Sequence, residues 1–156
     1  MVDSESDVLP GIVQIPERVG VVIIGRNEGD RLRRALDPLG PSPHRCVYVD
    51  SGSRDSSVAY ANSRGISVIE LTHDQPFSAA RGRNAGFEYL LERWPDTDYV
   101  QFLDGDCGMS PTWLSTAATT LDQEPRLAVV TGRLRELNRD LSVYNRLCDI
   151  EWDRPV

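Results

Sequence analysis

The sequence contains no lysine: all 17 basic residues among its 156 are arginine. That excludes Schiff-base chemistry and the lysine of a phosphate-binding loop. Arginine is then the sole strong cation available for gripping a phosphate, which its planar fork does bidentately. Cysteine is scarce and badly spaced for pairing, at Cys46, Cys107 and Cys148 with no C-x-x-C. The expectation is reduced thiols in a cytoplasmic protein, without a disulfide framework or a zinc site. The two histidines, His44 and His73, have no partner spacing. No apolar run reaches the ~20 residues of a membrane-spanning helix. Residues 1–8 lack a basic stretch followed by an apolar core, so no signal peptide is expected. Acidic residues outnumber basic ones for a net charge of −7, which argues against nucleic acid as a partner.

What is present is an alternation of strand and helix signals. With 40% hydrophobic and 26% charged residues, the chain is long enough for one domain with a sizeable core. Residues 1–17, polar and proline-containing, read as a flexible arm. Residues 19–24 are a buried strand, and a helix from about Glu28 follows with Leu32, Ala35, Leu36 and Leu39 on one face. A second strand at 46–49 runs into Asp50-Ser51-Gly52-Ser53, then come a short helix at about 55–63 and a third strand at 66–71. Ser78 is placed to cap a long helix with Ala80, Phe87, Leu90, Leu91 and Trp94 as its apolar face. A fourth strand ends on Asp104, Ser110-Pro111 opens another helix, and residues 127–130 read as a fifth strand. Such alternation predicts an α/β fold, a three-layer α/β/α sandwich with a mainly parallel sheet. Ligands of these sheets sit at the carboxyl ends of the strands, where Gly25, Asp50 and Asp104 fall.

Asp104-Gly105-Asp106 delivers two carboxylates to that edge. Hard oxygen ligands in this arrangement suit Mg²⁺ or Mn²⁺ bound jointly with substrate phosphates. An EF-hand loop starting at Asp104 would need glutamate at its twelfth position, where Ser115 stands. A haloacid-dehalogenase-type nucleophile belongs on the first strand, not the fourth. Asp50 is placed either to accept hydrogen bonds from a nucleoside or to cap the next helix. The loop Gly25-Arg26-Asn27-Glu28 lacks G-x-G-x-x-G, against NAD binding. Arg81 and Asn84, three apart, share one face of the first helical turns. Arginine at a helix N-terminus calls for an anionic partner. Gly82 and Gly86 give a small face for packing, and Arg83 reads as solvated. Asp149, Glu151 and Asp153 read as an exposed helix face.

Val21-Val-Ile-Ile-Gly-Arg-Asn-Glu28, Val47-Tyr-Val-Asp-Ser-Gly-Ser-Arg-Asp-Ser56, Ala79-Ala-Arg-Gly-Arg-Asn-Ala-Gly86 and Phe102-Leu-Asp-Gly-Asp106 together resemble family-2 glycosyltransferases of the GT-A fold. The resemblance covers residues 19–135, with Gly25 where proline is often found. It implies inverting transfer of a sugar from a nucleotide-diphosphate donor to an acceptor, with a divalent cation. Gly25, Arg26, Glu28, Asp50, Gly52, Arg81, Asn84, Asp104 and Gly105 would bind the nucleotide. Asp106, with Asp104, would hold the metal. Residues 18–135 would be the donor-binding domain and 136–156 the start of an acceptor-side segment. The catalytic base would then lie beyond Val156, with Glu151 and Asp153 the candidates inside the chain. The alternatives are a non-catalytic nucleotide-sugar-binding module and a nucleotidyltransferase, whose G-x-G-x-x-[ST]-R loop with a following lysine is absent. Self-association is expected to cover an unfinished sheet edge.

Overall fold

A computed structural model describes residues 11–152. They fall into two compact units, one ending at Thr119 and one beginning at Thr120. The first unit is built on four parallel strands: β1 (Val19–Gly25), β2 (Cys46–Asp50), β3 (Ser67–Glu70) and β4 (Tyr99–Asp104), in the order β3-β2-β1-β4. The chain steps outward from β1 to β2 and β3, then returns past β1 to lay down β4. The direction of winding therefore reverses between β1 and β4, and in parallel sheets ligands bind at the carboxyl ends beside such a reversal.

Strict alternation in β1 sends its side chains into two separate cores. Val19, Val21 and Ile23 face α1 (Arg31–Leu36), α2 (Ser57–Ser63) and the first turns of α4 (Trp113–Gln123), meeting Leu32, Leu36, Ala61 and Leu114. Val22 and Ile24 face the opposite way with Val47, Val49 and Leu90. That second layer is α3 (Ala79–Arg93), capped as expected by Ser78, whose hydroxyl accepts from Arg81 N–H at 3.1 Å. The sheet is thus covered on both faces, as its near-continuous apolar strands require.

The contact between α3 and the sheet is made by glycine. The buried positions of α3 are Gly82, Gly86 and Leu90, whereas Phe87, expected on the apolar face, is exposed beside Phe102 on edge strand β4. A Cβ at Gly86 would lie 2.3 Å from Val22 Cγ1 and 2.9 Å from Val49 Cγ2. Leu90 in turn fills the space over Gly20, where a Cβ would meet its Cδ1 at 2.4 Å. Small residues on one element receive large ones from the other, and the helix axis is drawn close to the strands.

Other expectations need correction. The first helix begins at Arg31, not at Glu28, and ends in a 3-10 turn (Asp37–Leu39). The residues before it are bound to the β2 loop. Of the arm expected over 1–17, residues 1–10 lie outside the described residues, but Val13 is 2% exposed and donates its N–H to Pro38 O at 2.6 Å. Residues 127–130 form no strand, and Leu127 and Val129 are exposed. β-propensity alone does not make a strand, because its backbone groups must find a ladder partner.

The second unit holds α5 (Val143–Trp152). Its polarity inverts the sequence reading: Asp149, expected on an exposed face, is 3% exposed, while Tyr144, Leu147 and Ile150 are exposed. Arg135 donates to both Asp149 oxygens at 2.9 and 3.2 Å, Glu136 N–H adds a bond at 3.0 Å, and Arg139 lies at 3.3 Å.

Gly86→Ala should lower the unfolding free energy of the first unit by roughly 1–3 kcal/mol despite alanine's better helix propensity, because the added methyl overpacks Val22 and Val49. Denaturant midpoints would measure it. An unchanged midpoint would contradict the close helix–sheet approach. In the second unit, the Arg135 guanidinium, then the Glu136 N–H, hold the Asp149 carboxyl down to about 2 from an ordinary value of 3.8. A depressed folded-state pKa stabilises fully above the ordinary value and is lost as pH falls through the folded one. NMR should therefore show α5 losing helical shifts between about pH 4 and 2, and Asp149→Asn should remove that dependence.

Candidate functional site

The carboxyl ends of three strands are set side by side by register. Gly25 pairs with Asp50 across β1 and β2, and Ile24 with Asp104 across β1 and β4. The sequence-predicted residues Gly25, Asp50, Asp104, Gly105 and Asp106 are therefore brought to one edge by backbone pairing alone.

Asp50 closes β2 with its side chain turned inward. It is 1% exposed, and its carboxylate is fully engaged by the protein. Oδ2 accepts from Gly52 N–H at 2.9 Å and Ser53 N–H at 2.7 Å, and Oδ1 from Tyr48 OH at 3.1 Å and from the Ser53 hydroxyl. Burial, then the charge of Asp50, push the Tyr48 phenol well up, so it stays a donor. Asp50 thus fixes the loop from within. Asp55, one residue before the N-cap Ser56 of α2, accepts from Ser57 N–H at 3.0 Å. The Ser57 hydroxyl foremost, with backbone N–H groups of Ser57 and Gly29, holds its carboxyl below the usual range.

The β1 loop is laced to this frame. Asn27, in the left-handed region at φ 55°, donates its N–H to Ser53 Oγ at 2.8 Å and accepts from Arg54 N–H at 2.7 Å through Oδ1. Gly29 N–H reaches Asp55 at 3.0 Å. The lacing directs Glu28 inward, into space left by two glycines. A Cβ at Gly25 would lie 2.9 Å from Glu28 Cγ, and one at Gly105 would lie 3.0 Å from it. Glu28 Oε2 is buried and 3.0 Å from Arg31 Nη2, yet not aligned for a hydrogen bond. Gly105 N–H bonds to Ile24 O at 2.8 Å, closing the crevice floor.

Asp104 and Asp106 stand exposed above that floor. Arg83, read from the sequence as solvated, donates to Asp104 Oδ1 at 2.8 Å. Arg31 Nη1 lies 3.9 Å from Asp106 Oδ2. Burial first, and then the charge of Asp106, raise the Cys107 thiol to about 11, leaving it a neutral turn residue.

Arg81 and Asn84 do not join these carboxylates. Arg81 folds back on the loop before α3, donating to Thr72 O at 3.0 Å, Gln75 O at 2.9 Å and Thr72 Oγ1 at 3.0 Å. With Asn84 it lines a shallow cleft beside Gln75 and Glu88. Its link to the site is indirect: the Phe77 ring lies 5.8 Å from the Arg81 guanidinium and 5.4 Å from that of Arg26, and packs over Gly52. Gly52, at φ 82°, has no room for a side chain there, since a Cβ would sit 3.0 Å from Phe77 and His73. Glu151 is exposed on α5 in the second unit, and Asp153 lies outside the described residues.

Sequence reasoning missed Arg31, Arg83 and Phe77. The i, i+3 spacing of Glu28 and Arg31 was a usable signal, but nothing local connects Arg83 to Asp104.

The sequence profile of glycosyl transferase family 2 matches residues 20–148, a span that contains every residue of this edge. The chain belongs to glycosyl transferase family 2. A TPR repeat-containing protein of Synechococcus elongatus is 26% identical over 138 residues, which are 88% of this chain and 32% of that protein. This family-2 chain thus spans about a third of that relative's length. Among solved structures, a cytidylyltransferase from Leptospira borgpetersenii superposes with a TM-score of 0.48 at 15% identity, over 76% of this chain and 52% of that one.

Asp50→Asn should destabilise the first unit by roughly 1.5–3 kcal/mol, since the donors of Gly52 and Ser53 would then face an amide in place of a charged acceptor. Amide exchange should quicken over residues 51–57 and across the laced β1 loop, while α3 stays protected. Unchanged exchange there would show that Asp50 does not hold the two loops together.

Proposed function

We propose that this chain binds a nucleotide-diphosphate sugar at the carboxyl edge of its sheet and serves sugar transfer to an acceptor. The observation that carries the reading is the exposed Asp104–Asp106 pair at the β1–β4 crevice of a family-2 chain. Glu28 lies on the crevice floor, with the ordered Asp50 loop alongside. Ligands of parallel sheets sit at such a reversal of winding.

The donor set fits a hard divalent cation. Asp104 and Asp106 offer exposed carboxylate oxygens, and Glu28 Oε2 is a buried oxygen lacking a hydrogen-bond donor. Among the described residues no group of three or more histidine, cysteine, aspartate or glutamate side chains forms a metal cage. Two carboxylates completed by water and substrate phosphates is the usual mode for Mg²⁺, with Mn²⁺ an equivalent oxygen-seeking ion. Asp106, assisted by Asp104, would hold the ion. When bound, it supplies Lewis-acid stabilisation of the charge that builds on the departing diphosphate.

The chain's own residues do the rest of the binding. The ordered loops at Gly25–Glu28 and Ser51–Ser53 flank the nucleoside, with Arg26 on the Phe77 face at the rim. Glu28 orients the floor between β1 and β4. An inverting transfer needs a carboxylate base for the acceptor hydroxyl. Asp149 does not qualify, because both its oxygens are held by Arg135.

Calorimetry should show UDP binding in the presence of Mn²⁺ and a loss of roughly ten- to hundred-fold in excess EDTA or in Asp106→Ala. Equal affinity with and without metal would defeat the metal-bridged reading.

A further inference from the structure

The acidic crevice carries its own cations, Arg31 and Arg83. Arg83 Nη2 sits 2.8 Å from Asp104 Oδ1, while Arg31 lies 3.0 Å from Glu28 Oε2 and 3.9 Å from Asp106 Oδ2. Three carboxylates against two guanidinium groups leave the crevice with one net negative charge. A divalent cation on Asp104 would approach the lone pairs that Arg83 now occupies, and the two positive charges would repel across one carboxylate. A diphosphate arriving with the metal brings the anionic oxygens that an arginine fork accepts bidentately.

The placement of Arg83 suits such an exchange. Its backbone lies on α3 between Gly82 and Gly86, the positions that press the helix against β1 and β2, so its Cα is held firmly. Its side chain is 38% exposed and its partner Asp104 52% exposed. An ion pair that open to water is weak and readily exchanged.

We propose that Arg83 is the resident counter-cation of Asp104: it holds the carboxylate while the crevice is empty, and transfers to a donor phosphate when a divalent metal takes that carboxylate. Arg83 is a positioning residue in this scheme. It makes metal and diphosphate bind as a coupled pair, each poorly alone and well together, and the coupling is reciprocal by thermodynamic linkage. Arg31 acts in the same sense on Asp106 through its longer contact. The inference rests on the metal–diphosphate reading, and the test separates the two.

Mn²⁺ titrations followed by electron paramagnetic resonance, with and without UDP, would compare the parent with Arg83→Gln, Arg83→Met and Arg93→Gln. The last removes an arginine from the far end of the same helix, where it rests on Trp94. In the parent, UDP should tighten Mn²⁺ binding about ten-fold. Both Arg83 variants should bind Mn²⁺ alone about five-fold more tightly than the parent, and UDP should add little further. Arg93→Gln should behave as the parent. Parent-like Mn²⁺ affinity in folded Arg83 variants would overturn the counter-cation role. So would an equal gain in Arg93→Gln, which would mark a general field effect. Absence of Mn²⁺ binding by the parent even with UDP would instead overturn the metal reading itself, and this inference with it.

Discussion

The carboxylate of Asp50 is the constraint from which the site's geometry descends. A charge this deeply buried is tolerable only if its lone pairs are satisfied, and four donors converge on it from Tyr48, Gly52 and Ser53. Because those donors lie on the strand and on the turn that follows it, satisfying the charge fixes the turn. Ser53 then receives Asn27, and Asp55 receives Gly29. The β1 loop has little choice of path, and Glu28 is directed between Gly25 and Gly105. A network of this kind rigidifies because every member is used.

Upon that rigid frame sit charges that are not rigid. Asp104, Asp106, Arg31 and Arg83 have half-open side chains joined by surface-type ion pairs. The contrast is physical: the buried network resists exchange with water or ligand, and the exposed one permits it. Glycine at 82 and 86 supports both, since it brings α3 near enough to the sheet for Arg83 to reach across to the end of β4. Larger residues there would push the helix outward and lengthen that reach.

The second unit shows how far tertiary context overrides pattern. In α5 the charged Asp149 lies inside, held by Arg135 and Arg139, and the apolar Tyr144, Leu147 and Ile150 lie outside. Binary patterning assigns the reverse. An aspartate with two guanidinium partners and a backbone N–H can be buried, because its hydrogen bonds and counter-charges replace water. Neither arginine is at helical spacing from it, so the sequence carried no local sign of the arrangement.

The strands, the alternation that makes the sheet parallel, the cap at Ser78 and the small face of Gly82 and Gly86 were legible because each rests on local chemistry: period-two burial, a hydroxyl before a helix, the absence of a side chain. The exposed pair Asp104 and Asp106 was legible for the same reason, as two carboxylates at the end of an apolar run. What the sequence could not carry was the choice of partner. Asp50 turned inward, Arg81 turned to the loop before its helix, Arg83 turned to Asp104, and residues 127–130 found no ladder. Each of these is a competition between distant groups for the same charge, donor or strand edge. Sequence determines which groups are able to compete; only the folded chain, by placing them within a few ångströms, decides which of them meet.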